Sequence, residues 1–353
     1  MSTAAMGLAN FRGLAAPANP IGVSPIRRAM SLRRTSSIDT SWPDGGGKPM
    51  LMHGHARDVF TAAEGGAIRI VAEDDVRILA AATREILDIA ASRRDPEVKQ
   101  LVGQKGGGYL RGVLAQLLPD ELAQGSPLNL LLDDFSGASL VAGWAWSRWV
   151  PDWQAQVRGQ APAPDERQRK MQGICSGFQP GASSLADDGS EDAVEQSSAI
   201  VMSLPRSDDP DGWHALDPQA EGVGMRRARR IDVWLDRDLV RMDVGFQDSA
   251  TNPKGGPDRI AIHEYHVQAT ADLETFTLRS VIADPRVLPY RECPGASPNV
   301  GVMIGTRLAD LRLAVPRRLS GIVGCTHLND VLRSLSDVPR LVAKLHEQVS
   351  GSA

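Results

Sequence analysis

Apolar and polar residues alternate in two separate parts of the chain, and this alternation predicts β-strands. Residues 266–283 ("HVQATADLETFTLRSVIA") and 69–86 ("RIVAEDDVRILAAATREI") each contain an alternating run, an acidic turn and a second strand-like run. Near the C-terminus the period changes, because Leu328, Leu332 and Leu335 follow the i, i+4, i+7 spacing of one helix face. Strands followed by helices predict an α+β fold.

Segments of the N-terminal half recur in the C-terminal half in the same order, which indicates an internal duplication. The first pair is "RRTSSIDTSW" (33–42) and "RRARRIDVWL" (226–235), in which Arg-Arg is followed by Ile-Asp and a tryptophan. We therefore predict two tandem copies of an antiparallel sheet followed by helices, related by a pseudo-twofold axis. The other matched pairs are 52–62 with 243–253, 69–86 with 266–283, 101–119 with 303–321, and 129–140 with 325–336.

Composition divides the chain into four parts. Gly, Pro, Ala and Ser dominate the first residues, and the segment between the copies is rich in Pro, Gly, Asp, Ser and Gln, so neither is expected to bury a core. Two islands of the second segment, 174–185 and 207–216, are expected to be ordered and to pack between the copies. The predicted parts are a disordered tail at 1–29, an N-terminal copy at 30–142 that has lost the site residues, a linker at 143–224, and a C-terminal copy at 225–350 that carries the site.

Bulk composition is that of a globular protein and excludes several classes of partner. Hydrophobic residues make up 42% of the chain, enough to form cores, and the net charge of -4 offers no general surface for a polyanion. We expect no nucleic-acid partner and, because no apolar run approaches the roughly 18 residues of a membrane span, no membrane partner. Three cysteines, an odd number, predict reduced thiols in the cytoplasm. The expected partner is a small-molecule substrate, and a homodimer is the assembly we consider.

Residues that can ligate a soft metal are confined to the C-terminal copy. His263 lies in "IHEYHV", Cys293 in "PYRECP", and Cys325 and His327 in "GCTHLND", whereas the matching N-terminal positions hold other residue types. Thiolate and imidazole select zinc or iron, usually with three or four ligands in a tetrahedron. The sequence therefore predicts a zinc or iron site at these four residues, with Cys175 of the linker as a candidate additional ligand.

Two other interpretations of the cysteines are compatible with the sequence. Cys325, at the start of a helix, could be a nucleophile whose pKa is lowered by the helix N-terminus, with His263 or His327 as its base. Alternatively, the cysteines could be packing residues, since free cysteine is among the most buried residue types.

Strand alternation separates the candidates for acid–base chemistry near these ligands. Within "HEYH", His263 and Tyr265 fall on one face of the strand while Glu264 and His266 fall on the other, so only one pair can face a given site. We predict catalytic roles among Glu264, Tyr265, His266 and Arg286.

Two further motifs have architectural explanations. Asp58 and Asp248, like Asp39 and Asp232, occur in both copies, which favours roles such as pairing with the repeated arginines over catalysis. The tryptophans of "GWAWSRWVPDW" (143–153) could line an apolar pocket, although the edge of a core helix is the commoner role for this spacing.

The C-terminal copy resembles a known bacterial family. It contains "RRIDV", "HEYHVQATAD", "PYRECP" and "GCTHLNDVL" in this order, and its Cys-Thr-His-Leu block is the most specific motif. In these motifs it is similar to the family catalogued as domain of unknown function 2889, whose simpler members resemble a single copy. The resemblance implies a fold and a set of residues, and the family name carries no activity. The residues that correspond to the family motifs are His263, Cys293, Pro294, Gly324, Cys325, Thr326, His327 and Leu328.

The order of hairpin, cysteine, helix, glycine, helix and cysteine is also distantly similar to the U-type iron–sulfur scaffold proteins, which favours a metal site. Our leading hypothesis is a cytoplasmic metal-dependent enzyme, in which zinc or iron acts as a Lewis acid or activates water in a lyase, hydrolase or isomerase step on a small organic metabolite. The alternatives are a non-catalytic metal or iron–sulfur carrier, a cysteine-nucleophile enzyme without metal, and a purely structural interaction protein.

Overall fold

A nine-stranded antiparallel sheet runs through the protein in this computed structural model, which describes residue 11 and residues 13–158, 170–186, 196–219 and 221–350. The strand order is β4-β3-β2-β1-β6-β7-β8, and β5 and β9 both pair with β8. The predicted α+β class is therefore confirmed. The strands are β1 Ser31–Ser41, β2 Met50–Thr61, β3 Ile68–Ala80, β4 Ile86–Ala91, β5 Ala199–Val201, β6 Gly224–Asp236, β7 Leu239–Thr251, β8 Arg259–Asp272 and β9 Leu278–Val287.

The two halves of the chain meet in the middle of this sheet. Strand β1 of the N-terminal half pairs antiparallel with β6 of the C-terminal half, from Ser31 opposite Trp234 to Ser41 opposite Gly224. Each half also forms its own meander, β1 to β4 on one side and β6 to β9 on the other. Backbone hydrogen bonds across the β1–β6 pair thus join the halves into a single sheet.

Helices of both halves pack on one face of the sheet. Helix α4 contacts β1, β2 and β3, α8 contacts β8, and α9 contacts both central strands. Among the described helices, none combines the length and apolar character required to span a membrane. The α-helices are α1 Asp95–Val98, α2 Leu110–Leu117, α3 Pro119–Gln124, α4 Pro127–Val141, α5 Trp144–Trp149, α6 Trp153–Arg158, α7 Leu311–Arg318, α8 Thr326–Ser334 and α9 Val338–Ser350. Short 3₁₀ helices cover Lys99–Leu101, Ser176–Phe178, Ser183–Leu185, Pro210–Gly212, Cys293–Met303, Leu308–Asp310, Gly321–Val323 and Leu335–Asp337.

The apolar core lies under these helices in two main clusters, one in each half. The strands contribute one face to this core. In β7, Val240, Met242 and Val244 are buried while the residues between them are half-buried. Helix α8 contributes Leu328 and Leu332, both buried, as their helical spacing predicts.

Extended segments cover the opposite face of the sheet. The predicted linker island 207–216 lies on it, where Asp209 accepts a 2.8 Å hydrogen bond from Nε of Arg27 and the His214 ring lies between the hydroxyls of Thr35 and Ser37. The parts of the linker at 159–169, 187–195 and 220 lie outside the described residues.

The predicted disordered tail at 1–29 differs from what the structure contains at 13–29. Asn19 N donates to the Arg286 carbonyl at 2.8 Å, and Leu288 N donates to the Pro17 carbonyl at 3.0 Å, so this segment pairs with the C-terminal end of β9. Arg27 of this segment is buried against Asp209. A composition rich in Gly, Pro and Ala carries no signal for such distant partners, which explains the difference. Residues 1–10 and 12 lie outside the described part.

Candidate metal centre

Three buried side chains converge where β7, β8 and α8 meet on the helix face. Asp248 of β7 lies opposite His263 of β8, next to a one-residue shift of the register, and such bulges re-aim side chains. His327 reaches them from the first turn of α8, whose N-cap is Cys325. The exposed fractions are 0% for Asp248, 8% for His263 and 9% for His327.

The potential ligand atoms of these residues lie close together. Nδ1 of His263 is 3.3 Å and Nδ1 of His327 is 3.2 Å from Oδ2 of Asp248. The two imidazole rings stack with centroids 3.6 Å apart and planes at 22°. Within the described residues, this is the one group of three His, Cys, Asp or Glu side chains whose ligand atoms all lie within 4.8 Å of one another.

An arginine balances the charge of the carboxylate. Arg227 of β6 donates from Nε and Nη2 to the two oxygens of Asp248, at 2.8 and 3.0 Å, and from Nη1 to Asp330 at 3.1 Å. Its Nη2 also lies 3.1 Å from Nδ1 of His327. Burial alone would raise the pKa of Asp248, but Arg227 and the two histidines hold it well below its ordinary range. Asp248 is therefore an anion in the folded protein.

The histidine on β8 is neutral and incompletely bonded. Burial, and then the neighbouring His327, lower the pKa of His263 to about 4, although Asp248 opposes the shift. At neutral pH its imidazole is therefore uncharged, which is the form that ligates metals. Nδ1 of His263 is buried, and its contact with Asp248 is not aligned as a hydrogen bond.

The three cysteines lie near one another but outside this group. Gly177 lies against the thiols of Cys175 and Cys293, and the thiol of Cys325 is a neighbour of both Cys175 and the Tyr265 hydroxyl. All three cysteines are reduced. Burial raises the pKa of Cys175 to about 12 and raises those of Cys293 and Cys325 above the ordinary value. Such thiols stay protonated, unlike the low-pKa cysteines of nucleophilic enzymes.

The predicted acid–base residues divide between the two faces of the sheet. Tyr265 is buried on the helix face, with His263. Glu264 accepts hydrogen bonds from Nε2 of Gln247 and from the backbone of the N-terminal segment, and burial raises its pKa. His266 pairs with Asp243, and Arg286 with Asp284 and the Pro20 carbonyl. These three residues therefore share the face opposite the histidine pair.

Of the four predicted ligands, the structure brings together His263 and His327, and it adds Asp248. From the sequence we expected an architectural role for Asp248, because the N-terminal half has a corresponding aspartate, Asp58. Pairing with Arg227 satisfies that role, but the same carboxylate also faces both histidines. The register of the β7–β8 hairpin is the signal that links Asp248 with His263, and the bulge in that hairpin obscures it in the sequence.

The segment that contains these three residues matches a known protein family. Residues 225–340 match the model of the family described as "Protein of unknown function (DUF2889)". The match contains Asp248, His263 and His327 and confirms the resemblance for the C-terminal part of the chain; it does not extend to the N-terminal half. No curated protein and no solved structure matches the chain.

Proposed function

We propose that the protein is a metal-dependent enzyme whose ion is held by Asp248, His263 and His327. One observation carries the proposal: Oδ2 of a buried anionic carboxylate and Nδ1 of two buried imidazoles converge, and Nδ1 of His263 has no hydrogen bond. Converging lone pairs in a buried site are unfavourable unless a cation or a proton lies between them. Two histidines and one carboxylate form a ligand set typical of iron(II) and zinc.

The surroundings fit a bound cation better than a bare cluster of lone pairs. Arg227 Nη2 lies 3.0 Å from Oδ2 of Asp248 and 3.1 Å from Nδ1 of His327, so a metal would use the second lone pair of Oδ2 and would replace the contact of Arg227 with His327. The positive charge of Arg227 is shared with Asp330, which limits its repulsion of an ion. The bound ion would supply Lewis acidity or an activated water, the chemistry of a lyase, hydrolase or isomerase step.

A cavity lies close to this centre on the helix side. This cavity of about 280 Å³ is lined by Thr326 and Asp330, the neighbours of His327 in α8, and by Arg111 and Arg333. Asp330 links the cavity to the centre, because it accepts hydrogen bonds from both Arg111 and Arg227. The cavity suits a small organic metabolite, the substrate class that we propose.

The geometry supports an enzyme over the two main alternatives. A carrier that hands a metal to a partner needs an exposed site, and all three ligands are buried. A cysteine nucleophile needs a lowered pKa, whereas the pKa of Cys325 is raised by burial. Cys293 and Cys325, the predicted thiolate ligands, are in this proposal neighbours of the centre.

We further propose that the chain is a duplication in which only the C-terminal copy retains the centre. Two equivalent ion pairs support this: Arg34 with Asp58 in the N-terminal half, and Arg227 with Asp248 in the other. The central pairing of β1 with β6, antiparallel over its whole length, is compatible with a pseudo-twofold axis. Beside Asp58 lies the amine of Lys344, at 3.0 Å, whereas the neighbours of Asp248 include two histidines.

The proposal is tested by elemental analysis of full-length protein purified without chelator and without air. We expect near-stoichiometric zinc or iron in the wild type and about tenfold less, or lower still, in His263→Ala and in His327→Ala, because each removes a ligand. The matched control is His266→Ala, which removes a histidine of the same strand from the opposite face and is expected to keep its metal.

Absorption spectra of the Co²⁺-loaded proteins provide a second readout that does not depend on activity. Wild type and His266→Ala are expected to give matching ligand-field bands, which His263→Ala loses. Absence of metal from the wild type together with no Co²⁺ binding contradicts the proposal, and so does equal metal loss in all three variants.

A further inference from the structure

A second cavity, in the N-terminal half, has an unusual lining. It measures about 320 Å³ and lies between the end of β1, the β3–β4 turn and helices α4 to α6. Its walls include three tryptophans, Trp42, Trp146 and Trp153, and two cations, Lys48 and Arg84. Among the described residues that line it, none is acidic, and none belongs to the candidate metal centre.

The two cations of this cavity have no counter-ion among the residues that the structure describes. Within the described part of the chain, neither Lys48 nor Arg84 forms a side-chain hydrogen bond or an ion pair, although most of the other arginines pair with carboxylates. Arg84 is half-buried, and burial lowers its pKa with no acid to oppose the shift. An unpaired, partly desolvated guanidinium is costly, and an anionic ligand would offset that cost.

The backbone at this arginine is also strained. Arg84 has φ = 66°, in the left-handed region that favours glycine, and Gly106 N holds its carbonyl at 2.8 Å. Strain of this kind persists where the surrounding structure fixes it, and it clusters at ligand sites. The turn therefore keeps Arg84 at the cavity wall in a backbone conformation that glycine would adopt with less strain.

The aromatic wall provides complementary contacts. The Trp42 and Trp146 rings meet edge to face, with centroids 5.5 Å apart and planes at 70°. The indole N–H of Trp146 is buried and has no acceptor among the described residues. Indole rings bind planar apolar groups through stacked and edge contacts, and an unpaired N–H can donate to a ligand oxygen.

From these features we infer that the cavity is a binding site for a small aromatic carboxylate. The ring of the ligand lies against the tryptophans, and its carboxylate accepts hydrogen bonds from the Arg84 guanidinium, with Lys48 adding positive charge. Arginine matches a carboxylate with two parallel N–H donors, which gives geometric specificity as well as affinity. The volume is in the range of small-molecule sites. The inference does not require the proposed metal, because Asp248, His263 and His327 do not line this cavity, although Arg84 and Leu140 also line the 280 Å³ cavity beside them.

Isothermal titration of the full-length protein with benzoate tests the inference. We expect saturable binding with a Kd at least about tenfold lower than for benzamide, the neutral isostere, or for acetate, which lacks the ring. Arg84→Gly is expected to raise the Kd for benzoate by about tenfold or more, since it removes a charged donor. Its Tm should not fall, because glycine is relaxed at φ = 66°. Arg84→Asn, which also tolerates this conformation, removes the charge without opening the turn.

The matched control is Arg317→Gln, which removes an exposed arginine of α7 that also has no acidic partner among the described residues, and it should leave the Kd unchanged. Trp146→Leu keeps the wall apolar but removes the ring, and it is expected to weaken binding by about twofold to tenfold. Three outcomes would overturn the inference: no saturable binding of benzoate, equal affinity for benzoate and benzamide, or unchanged affinity in both Arg84 variants.

Discussion

Gly324→Ala is expected to lower the free energy of unfolding by about 3 kcal/mol, because a methyl group cannot fit at this position. An added Cβ would overlap the Leu319 carbonyl oxygen at the end of α7, and that oxygen is held by a 2.8 Å hydrogen bond from Nδ2 of Asn329. The clash involves backbone on both sides, so no side-chain rotation relieves it. The Gly324 carbonyl also accepts a hydrogen bond from Ser176 N. A displacement of Gly324 would therefore also disturb the linker segment beside Cys175.

Urea denaturation measures this effect, with Gly301→Ala as the matched control. An added Cβ at Gly301 has no heavy atom within 4 Å, so the same substitution there should change stability by no more than about 0.5 kcal/mol. Equal stability of the two variants would mean that α7 and α8 are not packed at Gly324 as described. We also expect Gly324→Ala to lose metal, since it displaces the helix that carries His327.

Asp58→Asn is expected to cost about 3 kcal/mol of unfolding free energy, because it removes the buried carboxylate shared by Arg34 and Lys344 and leaves the buried Arg34 with Asp337 as its acidic partner. Asp58 is fully buried and accepts hydrogen bonds from Nε and Nη2 of Arg34, at 2.6 and 2.8 Å, and from Nζ of Lys344 at 3.0 Å. Lys344 belongs to α9, so this pair also fastens the C-terminal helix to the N-terminal half of the sheet.

The control for this prediction is Asp236→Asn, which breaks an aspartate–arginine pair at the surface. Asp236 bonds to Arg241 at 2.9 Å, but the side chains are 46% and 39% exposed, so the loss should be about 0–1 kcal/mol. The measurement is urea denaturation, and a loss in Asp58→Asn no greater than in Asp236→Asn would contradict the account of the buried pair.

Acid provides a second check on Asp58. Burial alone would raise its pKa, but Arg34 and Lys344 hold it below the ordinary value. The stabilisation from ionised Asp58 is therefore fully present above the pKa of aspartate in the unfolded chain, about 3.9. It is lost as the pH falls through the lower pKa of Asp58 in the folded protein. The stability difference between wild type and Asp58→Asn should accordingly shrink below about pH 4.

Local sequence patterns predicted strands and helices of the fold, but they did not predict which segments distant in sequence pair with each other. Alternation in 266–283 marks β8 and β9, and the spacing of Leu328 and Leu332 marks the buried face of α8, since both signals depend only on neighbours in sequence. The β1–β6 pairing joins segments far apart in the chain, and nothing local specifies it. The attachment of residues 13–29 likewise depends on partners such as Asp209 that composition cannot reveal.

The candidate centre was predicted only in part, because it also depends on contacts between residues distant in sequence. His263 and His327 stood out by residue type, and alternation correctly put Tyr265 on the same face as His263. The third member, Asp248, already had an adequate partner in Arg227, so a role with the histidines left no additional mark in the sequence. Arg84 was missed because an unpaired charge is defined by what surrounds it in three dimensions.

The central pairing of β1 with β6 has a consequence for the order of events during synthesis. Strand β1 is complete at Ser41, but its partner begins at Gly224, so about 180 residues must leave the ribosome before the open side of β1 can be closed. Through that interval the nascent N-terminal meander exposes an edge able to pair with other chains. Because this edge closes only by non-local pairing, we expect either half to aggregate when it is expressed alone.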